Sequence, residues 1–154
     1  MSAIELKNPT ELEQLVWRSP NLTSLTLNTS IITVETMIRI LLLKGPQLTH
    51  LGAGSNSIMF EGLQVVSETY KNLRVLKIYS GRSMKGVTDI GLTAISTGCQ
   101  NLTSLTYVCT RMTKAALITF SQNCSTVTSF KLTIDRVKPA PCTLELSYNH
   151  ARIS

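Results

Sequence analysis

The sequence predicts an α/β solenoid: a curved stack of about five strand–helix coils with a parallel sheet on its concave side. Three observations predict it. One short pattern recurs five times, as Asn21-Leu22-x-x-Leu25-x-Leu27, Gln47-Leu48-x-x-Leu51-x-Ala53, Asn72-Leu73-x-x-Leu76-x-Ile78, Asn101-Leu102-x-x-Leu105-x-Tyr107 and Thr126-Val127-x-x-Phe130-x-Leu132. The first apolar position falls at 22, 48, 73, 102 and 127, a step of 25 to 29 residues. Apolar residues also repeat ten and seven positions upstream of each anchor, at helical spacing. A period of this length with this core pattern is that of a leucine-rich repeat, whose coils build a horseshoe segment. Solenoids of this kind bind partners through their concave side chains.

Each coil opens with a helix. The upstream pairs are Leu12 and Leu15, Ile38 and Leu41, Leu63 and Val66, Leu92 and Ile95, and Leu117 and Phe120. A separation of three puts both members on one face, directed at the sheet. Helices are expected over 11–18, 34–44, 60–70, 89–98 and 114–123. Thr88 and Thr113 each stand fourteen before an anchor, where a hydroxyl caps a helix start. Cys99 and Cys124 share the slot three before the anchor, at the helix end, and read as isolated buried thiols. Cys109 and Cys142 follow no pattern, and no pair has zinc-knuckle spacing.

The strands alternate as a pleat requires. Leu25, Leu51, Leu76, Leu105 and Phe130 point inward, as do Leu27, Ala53, Ile78, Tyr107 and Leu132. Three columns are left for the concave side. The first is Ser24, His50, Val75, Ser104 and Ser129; the second Thr26, Gly52, Lys77, Thr106 and Lys131; the third Asn28, Gly54, Tyr79, Val108 and Thr133. Most are small or hydroxyl-bearing, so Lys77 and Lys131 stand out. They share a column two strands apart, about 10 Å at ordinary strand spacing. Two ammonium groups at that distance repel unless a polyanion lies between them. The spacing equally suits two solvated lysines on a wide, wet surface.

Composition narrows the function classes. The 154 residues carry a net charge of +6, and a basic balance fits an anionic ligand or an acidic partner. Aromatic residues are only 5%, and no basic run resembles a nucleic-acid arm, so no nucleic-acid partner is expected. The longest apolar stretch, Ile40 to Leu43, is too short to span a bilayer, and Met1 to Asn8 has no apolar signal core. No membrane association is expected, and the setting expected is cytoplasmic or nuclear. There the Asn-x-Ser/Thr triplets at Asn21, Asn28, Asn101 and Asn123 carry no glycan. Only His50 and His150 supply imidazoles, and no nucleophile or carboxylate recurs at a spacing that gathers a triad or metal set. The expectation is therefore not an enzyme, and no metal.

The copies are also specific in detail. The stretches Val16-Trp17-Arg18-Ser19-Pro20-Asn21-Leu22-Thr23-Ser24-Leu25, Pro46-Gln47-Leu48 and Met112-Thr113-Lys114-Ala115-Ala116-Leu117-Ile118-Thr119-Phe120 closely resemble the plant auxin-receptor F-box family. This is the transport-inhibitor-response and auxin-signalling F-box group. The resemblance covers about residues 11–145 and is closest over 85–141, including Lys138-Pro139-Ala140-Pro141. It implies the hormone-recognition repeat part of a subunit of an SCF ubiquitin ligase, in auxin signalling and ubiquitin-dependent degradation, with the nucleus favoured. In that family inositol hexakisphosphate lies under a pocket in which auxin completes a surface for a repressor degron.

Carried over by residue, Lys77 matches an arginine that contacts the inositol phosphate. Lys131 matches one that faces both that cofactor and the auxin carboxylate. Val108 matches a phenylalanine of the pocket wall, Thr133 a cysteine near the degron, and Ser129 another basic residue. Lys77 and Lys131 are thus the candidates for inositol hexakisphosphate, and Lys131, Val108, Thr133 and Tyr79 those for ligand or partner. Lysine keeps the charge but loses the guanidinium fork that grips a carboxylate with two bonds. The loop Gly81 to Val87 replaces a longer one bearing an aromatic.

The domain expectation is a repeat segment over 11–145 and an irregular tail over 146–154. No F-box is expected, hence no docking of a ligase adaptor. Further coils of the family are expected to be missing between Gly54 and Ser55. Two functions follow: a receptor-like recognition module, or a truncated, inert repeat fragment that binds neither auxin nor a ligase.

Overall fold

The computed structural model describes residues 9–27, 32–79, 88–109, 111–134 and 142–147. Asn28, the loop Gly81 to Val87, Lys138 to Pro141 and residues 148–154 lie outside the described residues.

Strand and helix alternate throughout. The order is α1 (Pro9–Trp17), β1 (Ser24–Leu27), α2 (Val34–Lys44), a short 3-10 turn (Gly45–Gln47), β2 (His50–Gly54), α3 (Ser55–Thr69) and β3 (Val75–Tyr79). Then come α4 (Asp89–Gly98), β4 (Ser104–Cys109), α5 (Lys114–Asn123), β5 (Ser129–Ile134) and β6 (Cys142–Ser147). One sheet holds the strands in the order β1-β2-β3-β4-β5-β6. The first five are parallel, so each step needs a crossover, which the helices supply. The leucine-rich-repeat solenoid expected from the sequence is the fold.

The core follows the repeat. Leu22, Leu48, Leu73, Leu102 and Val127 are buried, and so are both inward strand positions of every coil. Each such leucine contributes about 1.5–3 kcal/mol when fully buried. Phe120 and Phe130 meet at a ring-centroid distance of 4.8 Å. From the second coil on, the residue before each anchor bonds to the preceding coil. Gln47 donates to the carbonyls of Pro20 and Leu22, Asn72 to Pro46, Asn101 to Lys71, and Thr126 to Gln100 and Leu102. This ladder satisfies turn carbonyls that a coil cannot satisfy from its own residues.

Helix starts obey the cap rule. Thr88 accepts from the Ile90 N–H, and Thr113 from the Ala116 N–H. At α2 the same work falls to Thr33, which accepts from the Thr36 N–H at 3.2 Å. Cys99 and Cys124 close α4 and α5 as buried thiols, with Sγ 3.7 Å from carbonyls of the neighbouring coil. Loss of water pushes Cys99 up to about 11 and Cys124 to about 12. Cys109, also buried, is pushed up to about 11 by the same cause.

Four details differ from expectation. Leu15 is 37% exposed, and its place in the core is taken by Val16, one turn from Leu12. Among the described elements α1 packs mainly on α2. Ile38 and Leu117 are half-buried rather than buried, while Met37 and Ile40 fill the core from α2. Helix α3 is broken at Met59, with φ 49° and ψ −168°: its second part starts at residue 60, as expected, and the helical turn from Ser55 that precedes it was not expected. The strand β6 was not among the five expected, and it pairs antiparallel with β5 from Ser129↔Ser147 to Ile134↔Cys142. It therefore runs two residues into the stretch from 146 expected to be irregular, and covers the edge that β5 otherwise leaves open.

Candidate functional site

Register fixes the concave face. Ser24, His50, Val75, Ser104 and Ser129 stand opposite one another across five strands, and Thr26, Gly52, Lys77, Thr106 and Lys131 form the next row. In the third row Gly54 faces Tyr79, and Val108 faces Thr133. The first two columns expected from the sequence are therefore rows of the sheet; the third is matched within β2–β3 and within β4–β5, and Asn28 lies outside the described residues.

Lys77 and Lys131 are both exposed, with Thr106 between them in the row. Their settings differ. Lys77 has no acidic partner among the described residues. Lys131 already has an interaction within the chain and is registered against Glu145 of β6. Thr133 and Tyr79 are half-buried. Val108 is only 6% exposed, so this apolar chain is covered rather than offered to a ligand. Burial of a β-branched apolar side chain is the favourable outcome when a neighbour can cover it.

The face is not flat. A pocket of about 260 Å³ opens over β1, β2 and β3, walled by Ser24, Thr26, His50, Lys77 and Tyr79 with Gly52 as its floor. Its shape depends on Gly52. A Cβ there would stand 3.1 Å from both Thr26 Cγ2 and Tyr79 Cε2, so the missing side chain lets threonine and tyrosine close in from opposite sides. His50 is exposed, and its Nδ1 lies 2.9 Å from Thr49 Oγ1. Its other ring nitrogen has no protein partner among the described residues.

The structure thus brings two of the candidates, Lys77 and Tyr79, into one pocket. Lys131, Val108 and Thr133 lie apart from it on β4 and β5. Sequence reasoning did not single out His50, Thr26 and Gly52 as a group. Reading diagonally between adjacent rows, from His50 to Lys77 across Gly52, is the signal that finds them.

Among the described residues no group of three His, Cys, Asp or Glu side chains could hold a metal ion. No helix among them is long and apolar enough to cross a membrane.

No family model matches the chain. Individual proteins do. The chain is 42% identical over 77 residues to a transport inhibitor response 1-like protein of Oryza sativa subsp. japonica, covering 48% of the chain and 14% of that protein. It is 43% identical over 83 residues to F-box protein FBX14 of Arabidopsis thaliana, covering 51% and 13%. It is 36% identical over 117 residues to GRR1-like protein 1 of Arabidopsis thaliana, covering 75% and 19%. The matches thus span between 13% and 19% of the length of these relatives. The curated homologues of this chain are plant F-box/leucine-rich-repeat proteins, the transport-inhibitor-response group among them.

Proposed function

We propose that this chain is a receptor-like recognition surface of the auxin-signalling kind, whose concave sheet holds a phosphate-rich ligand. One observation carries the reading. Two lysines stand exposed in a single row of a parallel concave sheet, in a chain homologous to transport-inhibitor-response proteins. Lys77 and Lys131 contact inositol hexakisphosphate; Lys131, Thr133 and Tyr79 border the place of auxin and a repressor degron, while Val108, being covered, offers them no wall. The proposed setting is the nucleus, and the process is ubiquitin-dependent degradation through an SCF ligase. The role proposed for this region is recognition rather than catalysis.

The two ligands make different demands. Attraction to phosphate is largely Coulombic and accepts lysine in place of arginine. A carboxylate hormone needs a planar fork, an aromatic wall and a closed pocket. Polyphosphate binding is therefore expected to exceed auxin binding. Calorimetric titration of the chain with inositol hexakisphosphate and with auxin, repeated on Lys77→Ala/Lys131→Ala, tests this. Loss of roughly tenfold or more in hexakisphosphate affinity in the double variant supports the reading. Auxin binding as tight as hexakisphosphate binding would show that the ligand sits elsewhere.

The competing function, a repeat segment that folds but binds neither, is favoured by the burial of Val108. The same titration decides for it when neither ligand gives a saturable signal.

A further inference from the structure

We propose that the outer face of α1 and α2 is a self-association surface, covered by the same face of a second copy across a two-fold axis. The repeat supplies an internal control for that face. The slot five before each anchor is exposed in every coil, and in the last three coils it holds Glu68, Thr97 and Gln122. In the first two it holds Trp17 and Leu43, 73% and 40% exposed. Leu42, next to Leu43, is 60% exposed. Of the five large apolar side chains exposed among the described residues, all but Ile90 belong to α1 and α2. Single exposed apolar side chains are ordinary, whereas a cluster of them marks a contact surface.

Shape and charge commit the face to a second copy. Glu13, Gln14, Trp17, Arg18 and Leu43 line an open groove of about 450 Å³. The two helices are tied there by Arg39 Nε donating to Glu13 Oε1 at 2.7 Å. One face thus carries an apolar projection, Trp17, and an apolar recess beside it. It carries both charges as well. Glu11 lies in the first turn of α1, and Arg18, whose N–H still bonds to the Gln14 carbonyl at 3.0 Å, lies two turns further on the same side. A second copy laid antiparallel brings each Arg18 to the other copy's Glu11, opposes the helix dipoles and lets each Trp17 reach the other groove. A carboxylate takes several donors, so the interaction Glu11 already makes within the chain is no bar. Two indoles and a few leucines make a small interface, so the dimer is a weak one.

Trp17 is the only tryptophan of the chain, so its fluorescence reports this face alone. The test is sedimentation velocity of the full chain between about 1 and 100 μM, with Trp17 emission followed over the same range. Mass should rise from monomer to dimer, and emission should shift to the blue as the indole leaves water. Leu43→Gln should weaken the dimer roughly tenfold with Trp17 still reporting, and Trp17→Thr should do the same by mass. Both side chains are exposed, so the variants keep the fold, which circular dichroism verifies. Arg18→Glu and Glu11→Arg should each weaken association, and an equimolar mixture of the two should restore it, because opposite charges then meet again across the axis. A chain still monomeric at about 100 μM overturns the proposal. So does a dimer indifferent to Leu43→Gln and Trp17→Thr, whose contact would lie elsewhere. A mixture no stronger than its components overturns the antiparallel pairing. A blue shift of the dilute monomer on adding phosphatidylcholine vesicles, with no dimer at high concentration, would make the face a lipid-binding one instead.

Discussion

Two joints in this solenoid cover the same repeat length by different paths. Between the anchors at 48 and 73, and again between those at 102 and 127, the chain advances 25 residues. In the later coil β4 ends at Cys109, a short connection follows, and α5 starts at Lys114 under the Thr113 cap. In the earlier coil β2 ends at Gly54 and α3 starts at the next residue, with no side-chain cap. That helix is then broken at Met59, in a backbone region that costs a non-glycine residue on the order of 1–3 kcal/mol. The first turn is held from outside instead, by Ser57 donating to the Ile32 carbonyl at 3.0 Å. Repeat length sets the pitch of the coils, then, while the cap decides how each strand turns into its helix.

The comparison holds only if the strained coil is still packed tightly on its regular neighbour, and Gly98 is where that can be broken. A Cβ at Gly98 would stand 2.0 Å from the Ser67 carbonyl oxygen, so α3 and α4 touch through backbone. Gly98→Ala is expected to cost about 3–5 kcal/mol, because a helix rather than a side chain must move. Urea unfolding measures it. A loss under about 1 kcal/mol would mean that α3 gives way easily and is the looser element.

The next largest effect separates the coils by chemistry. The regular coils end their helices on Cys99 and Cys124, whereas α3 is followed by Tyr70 in the same slot. Burial raises all three folded pKa values above the unfolded ones. The unfolded chain therefore releases protons first, and stability present below the ordinary thiol value of 9.0 falls as pH rises toward about 11 and 12. Each thiol removes about 1 kcal/mol by pH 10. Tyr70 starts only from 10.0. Cys99→Ala/Cys124→Ala should therefore flatten the loss between pH 9 and 10, leaving the share of Cys109. An unchanged slope in the double variant would assign the alkaline loss to other groups.

The regular parts of the molecule are also the legible ones. All five parallel strands and their inward residues follow from the anchor pattern, because burial alternates with period two and one slip would invert every side chain. The caps at Thr88 and Thr113 were readable at fourteen before the anchor, but Thr33 stands fifteen before Leu48 and escaped that rule. Strand β6 has no coil pattern to announce it; pairing with an open edge makes it a strand. Met59 escaped because positive φ is imposed by the joint, not by the residue. On the concave face the rows were legible and the pocket was not, since it depends on what Gly52 lacks and on a diagonal between rows.

Removing the cap of the regular joint should make it resemble the strained one. Thr113→Ala deletes the oxygen that receives the Ala116 N–H at 3.2 Å and also the contact to Asp89 at 3.0 Å. A loss of about 1 kcal/mol is expected, with faster amide exchange confined to the first turn of α5. Thr113→Ser keeps the oxygen and should recover most of it. Equal losses in the two variants would assign the effect to the methyl group and remove capping as the difference between the joints.

The smallest effect has the opposite sign and comes from the strained joint itself. Met59→Gly relieves the positive φ but gives up a half-buried side chain and gains unfolded-state freedom worth roughly 0.5–1 kcal/mol. The net expectation is a gain of less than about 1 kcal/mol, too near to zero to be convincing alone. Met59→Ala removes the same packing and keeps the strain, so it is expected to destabilise. The difference between the two variants then reads the backbone, with side-chain packing cancelled to the size of one methyl group. Glycine should exceed alanine by about 1 kcal/mol or more in urea unfolding. If alanine equals or exceeds glycine, Met59 is not strained in solution, and the two joints differ only in their caps.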